Sequence, residues 1–230
     1  MRPAADTLRV GTSRARSRVV TESSNEKPKR RHFSMIRDFQ IADLLTLSNA
    51  FMGTISILCV MKFLETHDRA YLWGAFGALP FALVFDVFDG RVARWREETS
   101  LLGQELDSLA DSVSFGVAPA AIAFAMGMRG LWDCAVLVYF VGCGISRLAR
   151  YNATAAQLSD DAGKVKYFEG TPIPSSLLFV GVLALVAWRS RDSLPGGVVS
   201  IGPGDLHPLV LMYAASGSAM ISKTLRIPKP

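Results

Sequence analysis

Six apolar segments, at about 41–62, 70–86, 109–128, 131–146, 173–188 and 206–222, constrain this chain more than any other feature. Half of its 230 residues are hydrophobic, more than a soluble domain of this size has interior to hide, so residence in a membrane is expected. No segment alternates as a barrel strand would, and no internal repeat is visible. Helices are the remaining way to cross a bilayer with every backbone group satisfied. Several segments fall short of the ~20 residues that span the hydrocarbon core, but polar residues at their ends extend them into the interface. The expectation is an all-α integral membrane protein with six transmembrane helices within residues 39–230.

The basic residues give the orientation. With the amino terminus in the cytoplasm, twenty of the 25 lysines and arginines fall on that side. Five fall on the other: Lys62, Arg69, Arg129, Arg189 and Arg191. That asymmetry predicts an even number of spans with both termini cytoplasmic. Ten of the twenty lie in residues 1–38, a stretch rich in Arg, Lys and Ser without helical or strand period, expected to be a disordered basic cytoplasmic tail. No apolar core follows its first arginines, which argues against a secretory signal; a mitochondrial transit peptide has a similar composition and stays open. Lys29-Arg30-Arg31 suits anionic lipid headgroups, and no nucleic-acid partner is expected. Arg30 and Arg31 ahead of Ser34 also fit a kinase site. Cys59, Cys134 and Cys143 lie in apolar runs and read as small buried hydrophobes, with no disulfide framework or zinc spacing. Gly142 and Gly144, Ala214 with Ser218, and Ala215 with Ala219 have the spacing of close helix contacts, and Pro80 and Pro119 are expected to kink their spans.

The chemistry is concentrated in residues 86–111, DVFDGRVARWREETSLLGQELDSLAD. Asp86 and Asp89 are three apart on one helix, Asp107 and Asp111 four apart on the next, so each pair shares a helical face. A polar turn centred near 97–99, with Thr99 or Ser100 as cap, puts each pair about ten residues from the bend. At about 1.5 Å per residue both pairs reach the same depth, roughly 10–18 Å from the turn near the cytoplasmic interface. Four facing carboxylates either protonate or bind cations, and oxygen-only ligation favours Mg²⁺, Mn²⁺ or Ca²⁺ over zinc or copper. Gly90 and Gly103 leave room for a bulky ligand such as a nucleotide to approach the backbone, while Arg91, Arg94 and Arg96 suit phosphate. Thr46 and Asn49 either face the same cavity or only bond between helices. His32, His67 and His207 lie away from the acids and are given no catalytic role.

This stretch matches D-x2-D-G-x2-A-R-x8-G-x3-D-x3-D at Asp86, Asp89, Gly90, Ala93, Arg94, Gly103, Asp107 and Asp111. It thereby resembles the CDP-alcohol phosphotransferase family, and a chance match at eight fixed positions is negligible. The resemblance implies six transmembrane helices and a homodimer. It also implies two divalent ions, Mn²⁺ or Mg²⁺, held by Asp86, Asp89 and Asp107, with Asp111 sharing in the site as general base. Gly90, Ala93 and Gly103 would line the cytidine pocket, with Arg94 near the phosphates.

Three tracts narrow the acceptor: ELDSLADSVSFGVAPA at 105–120, SRLARYN at 146–152 and YFEGTPIPSS at 167–176. With the closing ISKTLRIPKP, they are similar to the serine-using, fungal branch of that family over residues 36–230. What this implies is the union of CDP-diacylglycerol and L-serine in the endoplasmic reticulum membrane, with the active site cytoplasmic. Arg147 and Arg150, three apart, would share a face, one for the serine carboxylate and one for a lipid phosphate; Asn152 and Glu169 are candidate acceptors for the ammonium. Plain positive-inside anchoring is the alternative for both arginines. The rival acceptors are inositol, glycerol 3-phosphate and an amino alcohol. The rival class is a divalent-cation transporter, which would want its acids at the bilayer midplane and leaves Gly90 and Gly103 without a purpose.

Overall fold

The computed structural model describes residues 41–96, 101–158, 167–169, 171–189, 197–222 and 226–228. The basic tail with Lys29–Arg31 and Ser34, and the caps expected at Thr99 or Ser100, lie outside them. The described helices are α1 (Ile41–Thr66), α2 (Arg69–Arg96), α3 (Leu101–Asp111), α4 (Ala118–Ala125), α5 (Leu131–Leu158), α6 (Ser176–Arg189) and α7 (Leu211–Ile221). Four stretches are long and apolar enough to cross a membrane: Asp43–Thr66, Arg69–Val92, Leu102–Ala125 and Leu131–Thr154. Two shorter apolar helices, Ile173–Arg189 and Pro208–Ile221, accompany them. The chain is a mostly helical, multi-pass membrane protein.

The apolar windows stop short of the helices at the acidic end. There α2 continues to Arg96, the third span begins near residue 101, and α5 reaches Leu158. Backbone hydrogen bonding carries a helix past the point where its side chains turn polar. The sequence reading also missed four short strands: β1 (Tyr167–Glu169), β2 (Val199–Ile201), β3 (Gly204–Leu206) and β4 (Arg226–Pro228). β1 pairs antiparallel with β4, and β2 with β3. Three-residue strands leave too little period to read.

A two-residue turn sets α1 and α2 antiparallel. His67 takes a left-handed conformation at φ 55° and its N–H returns to Phe63 O at 2.8 Å, closing α1. Asp68 then opens α2, its Oδ1 accepting from Ala70 N–H at 2.9 Å. The first helix is polar on its inner face. Asp43, Thr46, Asn49, Gly53 and Ser56 recur every three or four residues and are buried, whereas Leu44, Phe51, Ile55, Leu58 and Met61 are exposed. In lipid this arrangement is favourable, because small and polar residues make the helix contacts while apolar side chains face the acyl chains.

The expected kink at Pro119 is a change of helix type. Residues Ser112–Val117 form a π-helical turn, in which Ala118 N–H bonds Val113 O, five residues back. Proline has no N–H, and its ring collides with the carbonyl four residues earlier, so the wider turn makes room for it. This turn follows Asp111 directly. By contrast, α2 remains helical through Pro80. Tyr213 on α7, fully buried, donates its hydroxyl to Pro119 O at 3.1 Å and joins Phe115, Ile122, Phe140 and Leu183 in the core.

Of the small residues expected at helix contacts, Gly144 does approach a neighbour: a Cβ there would lie 3.3 Å from Ile173 Cδ1. Gly142 does not, since it faces open space; α7 instead meets α5 at Gly217, against Tyr139, Phe140 and Cys143. Ala215 is exposed, and Ser218 bonds the Tyr139 hydroxyl at 3.1 Å. At the end of the bundle away from the acids, fully buried Asp133 ties three pieces together. Its carboxylate accepts from Gly130 N–H at 3.0 Å and His207 N–H at 2.8 Å, and lies 2.6 Å from His207 Nδ1. Trp132 Nε1 donates to Ile201 O at 2.8 Å, so the β2–β3 hairpin is fastened to the start of α5.

Candidate functional site

The carboxylates converge as the helix arithmetic requires. α2 and α3 bracket residues 97–100, bringing Asp86 and Asp89 opposite Asp107. One oxygen from each of these three lies within 4.8 Å of the others. Asp89 is buried, Asp86 and Asp107 half-buried. Asp107 Oδ1 is buried with no hydrogen-bond partner among the described residues. Three anionic oxygens this close, one of them unsatisfied, are costly alone and well matched to a hard divalent cation that takes oxygen ligands. The donor set therefore fits a magnesium- or manganese-type ion.

Asp111, the last residue of α3, is buried and stands outside that group of three. Its Oδ1 accepts from Asn49 Nδ2 at 3.2 Å. Asp89 Oδ2 in turn accepts from the Thr46 hydroxyl at 2.8 Å. Both polar residues that the sequence left undecided on α1 thus bond directly to acids of the cluster. Asn49 is held from a second side, because the Ser114 hydroxyl of the π turn donates to Asn49 O at 2.9 Å. Gly53 makes that contact possible: a Cβ there would run into the Ser114 side chain and lie 2.8 Å from Ser114 Cα. Ser114 and Gly53 escaped the sequence reading. For Gly53 the signal was the spacing of polar and small residues along one face of an otherwise apolar first helix; Ser114 gave none.

Gly90 lies beside the acids, and a Cβ added there would meet nothing within 4 Å, so the backbone borders open space. Gly103 is half-buried on the first turn of α3. Ala93 and Arg94 belong to the last turns of α2, but their side chains lie outside the described residues, as do those of Arg96 and Glu169. On α5, Arg147 and Arg150 are half-buried, and each has its Nε buried without a hydrogen-bond partner among the described residues. Arg147 interacts electrostatically with Asp111. Asn152 donates from Nδ2 to Ser108 Oγ at 2.9 Å, fastening α5 to the residue next to Asp107, and its Oδ1 is buried without a partner among the described residues. Arg147 and four carboxylates therefore meet where α1, α2, α3 and α5 converge, with Arg150 about one turn further along α5. Such a site can hold a metal, accept a proton and bind anionic groups.

Comparison with known proteins places this geometry. The profile of the CDP-alcohol phosphatidyltransferase family matches residues 39–216. The CDP-diacylglycerol–serine O-phosphatidyltransferase of Saccharomyces cerevisiae is 47% identical over 204 residues, covering 86% of this chain and 74% of the yeast protein. The protein of that same name from Methanocaldococcus jannaschii is 34% identical over 155 residues, covering 67% of this chain and 65% of its own length. The one from Mycobacterium bovis is 38% identical over 132 residues, 56% of this chain and 44% of its own length.

Proposed function

The chain belongs to the CDP-alcohol phosphatidyltransferase family, and from that premise we propose that it joins CDP-diacylglycerol to L-serine, giving phosphatidylserine and CMP. The observation that carries this reading is the 47% identity, across 86% of the chain, to a yeast enzyme named for that reaction. The carboxylate cluster supplies the chemistry it requires.

Asp86, Asp89 and Asp107 would hold the metal, two ions in all if Asp111 shares in the site. When bound, the metal neutralises the diphosphate under attack and favours loss of CMP. The chain's own groups do the rest. Asp111, oriented by Asn49, takes the proton of the serine hydroxyl as that oxygen bonds to the lipid-side phosphorus. The bond from that phosphorus to the oxygen shared with CMP breaks, and CMP leaves with the electron pair. Gly90, Ala93 and Gly103 line the cytidine pocket, and Arg94 lies towards the phosphates. Arg147 and Arg150 bind anionic groups, one the serine carboxylate and the other a lipid phosphate. Their half-buried, incompletely satisfied guanidiniums favour this over interfacial anchoring.

The two shorter apolar helices complete six spans, with both termini and the site on the cytoplasmic face. The membrane is that of the endoplasmic reticulum, and the active form is a homodimer. The basic asymmetry of the sequence supports the orientation, and the likeness to a yeast enzyme supports the compartment. Membranes containing the protein, given CDP-diacylglycerol and each of labelled L-serine, inositol and glycerol 3-phosphate, test the acceptor. Incorporation of serine alone is expected; preferential incorporation of another alcohol would replace serine in this reading. Metal-dependent transport without CMP release would replace the reaction class.

A further inference from the structure

Among the described residues six polar atoms outside the metal triad are buried without a partner: Asn49 Oδ1, Ser176 Oγ, Arg147 Nε, Arg150 Nε, Asn152 Oδ1 and Thr171 Oγ1. Of the last four, two are donors on cations, and two are oxygens that accept hydrogen bonds. Each costs stability while unsatisfied, so four of them together point to a ligand that supplies the missing partners. The required ligand presents an anionic group to the arginines and a cationic donor to the two oxygens.

Thr171 reaches this neighbourhood through a stiff segment. β1 is paired with β4 in the register Tyr167↔Pro228, Phe168↔Ile227, Glu169↔Arg226, which holds the chain just before it. Pro172 is extended (φ −66°, ψ 146°), and Ile173, fully buried, begins a tight turn at Ile173–Ser175 that leads into α6. Ile173 packs against Gly144, one helical turn before Arg147. From that contact the arginines lie about 4.5 and 9 Å further along α5, and Thr171 lies up to about 6–7 Å back through the extended Pro172. Both displacements run towards the same end of the bundle, because the opposite end of α6 is pinned where Arg69 of α2 donates to Ala187 O. Thr171 therefore stands level with Arg147 and Arg150. Measured from the Arg69–Ala187 contact, it is also about 28 Å away along α6, against about 26 and 30 Å for Asp86 and Asp89 along α2.

We propose that Thr171 is a specificity-determining residue whose Oγ1, together with Asn152 Oδ1, receives the ammonium of the acceptor while Arg147 and Arg150 face its carboxylate. The inference rests on the serine reading above and adds a residue that the acceptor motifs did not single out. A zwitterionic amino acid satisfies all four atoms. A neutral polyol leaves the guanidiniums without a counter-charge, and glycerol 3-phosphate brings no cation to the oxygens.

The test uses the full-length protein in lipid–detergent micelles with saturating divalent metal, following CMP release against L-serine and CDP-diacylglycerol separately. Thr171→Val keeps the shape and removes the hydroxyl, whereas Thr171→Ser keeps the hydroxyl. The valine variant is expected to raise the apparent KM for L-serine roughly tenfold or more, the worth of one hydrogen bond to a charged group, with kcat and the KM for CDP-diacylglycerol within about twofold. The serine variant is expected to stay near the parent. An unchanged serine KM, a parallel rise in both constants, or a serine variant as impaired as the valine one would overturn the proposal. If the valine variant does not accumulate, Thr171→Ala is read by the same criteria. Failure of the parent protein to use L-serine would instead sink the reaction assignment, so the two outcomes are distinct.

Discussion

Asn49 on α1 donates its Nδ2 to Oδ1 of Asp111 at 3.2 Å, and its own backbone carbonyl receives the hydroxyl of Ser114, three residues beyond that aspartate. One asparagine on the first helix thus grips the π turn at two points and fixes the carboxylate at its mouth. The wide turn is set by Pro119, whereas the direction of Asp111 is set from another helix.

Asn49→Ala removes the donor from Asp111 and leaves the metal triad untouched. Turnover is expected to fall about 10- to 100-fold, corresponding to about 1.5–3 kcal/mol for a hydrogen bond to a charged group. Steady-state kinetics checks this, with the KM for CDP-diacylglycerol changing little. A loss confined to that KM would show that Asn49 serves the nucleotide instead.

The two acids of α3 are expected to have separable tasks. Asp107→Asn is expected to weaken Mn²⁺ binding at least about tenfold, since it removes the charge of a carboxylate whose Oδ1 is buried without a hydrogen-bond partner among the described residues. Asp111→Asn should keep the ion held by Asp86, Asp89 and Asp107 while losing at least about 100-fold in turnover. Manganese titration followed by electron paramagnetic resonance, alongside CMP release, distinguishes them. Full activity in Asp111→Asn would remove the base assignment.

Arg150→Gln is expected to raise the apparent KM for L-serine far more than that for CDP-diacylglycerol, with partial recovery in Arg150→Lys, which keeps charge but loses the planar fork. Equal effects on both substrates would favour simple anchoring at the interface.

Gly53→Ala is predicted to lower thermal stability by about 1–3 kcal/mol, because the added methyl meets the backbone as well as the side chain of Ser114. Ser114→Ala should not rescue it, since Ser114 Cα would remain in the way at 2.8 Å. Melting in detergent, monitored by tryptophan fluorescence, reads both variants.

At the opposite end, Asp133→Ala strips a buried carboxylate from Gly130 and His207 and loosens the chain just after the β2–β3 hairpin. A loss of about 1–3 kcal/mol in stability is expected, with kinetic constants near those of the parent at low temperature. A selective rise in one substrate's KM would contradict a purely structural role.

Much of the site was legible because it is local. Asp86, Asp89, Asp107 and Asp111 fall within 26 residues, and helical spacing and rise suffice to put them on facing surfaces at one depth. The membrane habit was equally legible, since a run of apolar residues reports its own insertion without reference to neighbours. What the tertiary structure decided is everything that depends on contacts distant in sequence. Asn49 bonds Asp111, 62 positions further along the chain, and Asp133 bonds His207, 74 positions further along. A one-dimensional pattern can say that Asn49 is polar in an apolar helix; which carboxylate it serves depends on how α1 packs against α3. The π turn after Asp111 was half visible, because Pro119 announced a disturbance but not its form. The sequence alone determined the family signature and the facing placement of its carboxylate pairs. Packing determined which of the four carboxylates cluster at metal-binding distance and which one, gripped by Asn49, stands apart.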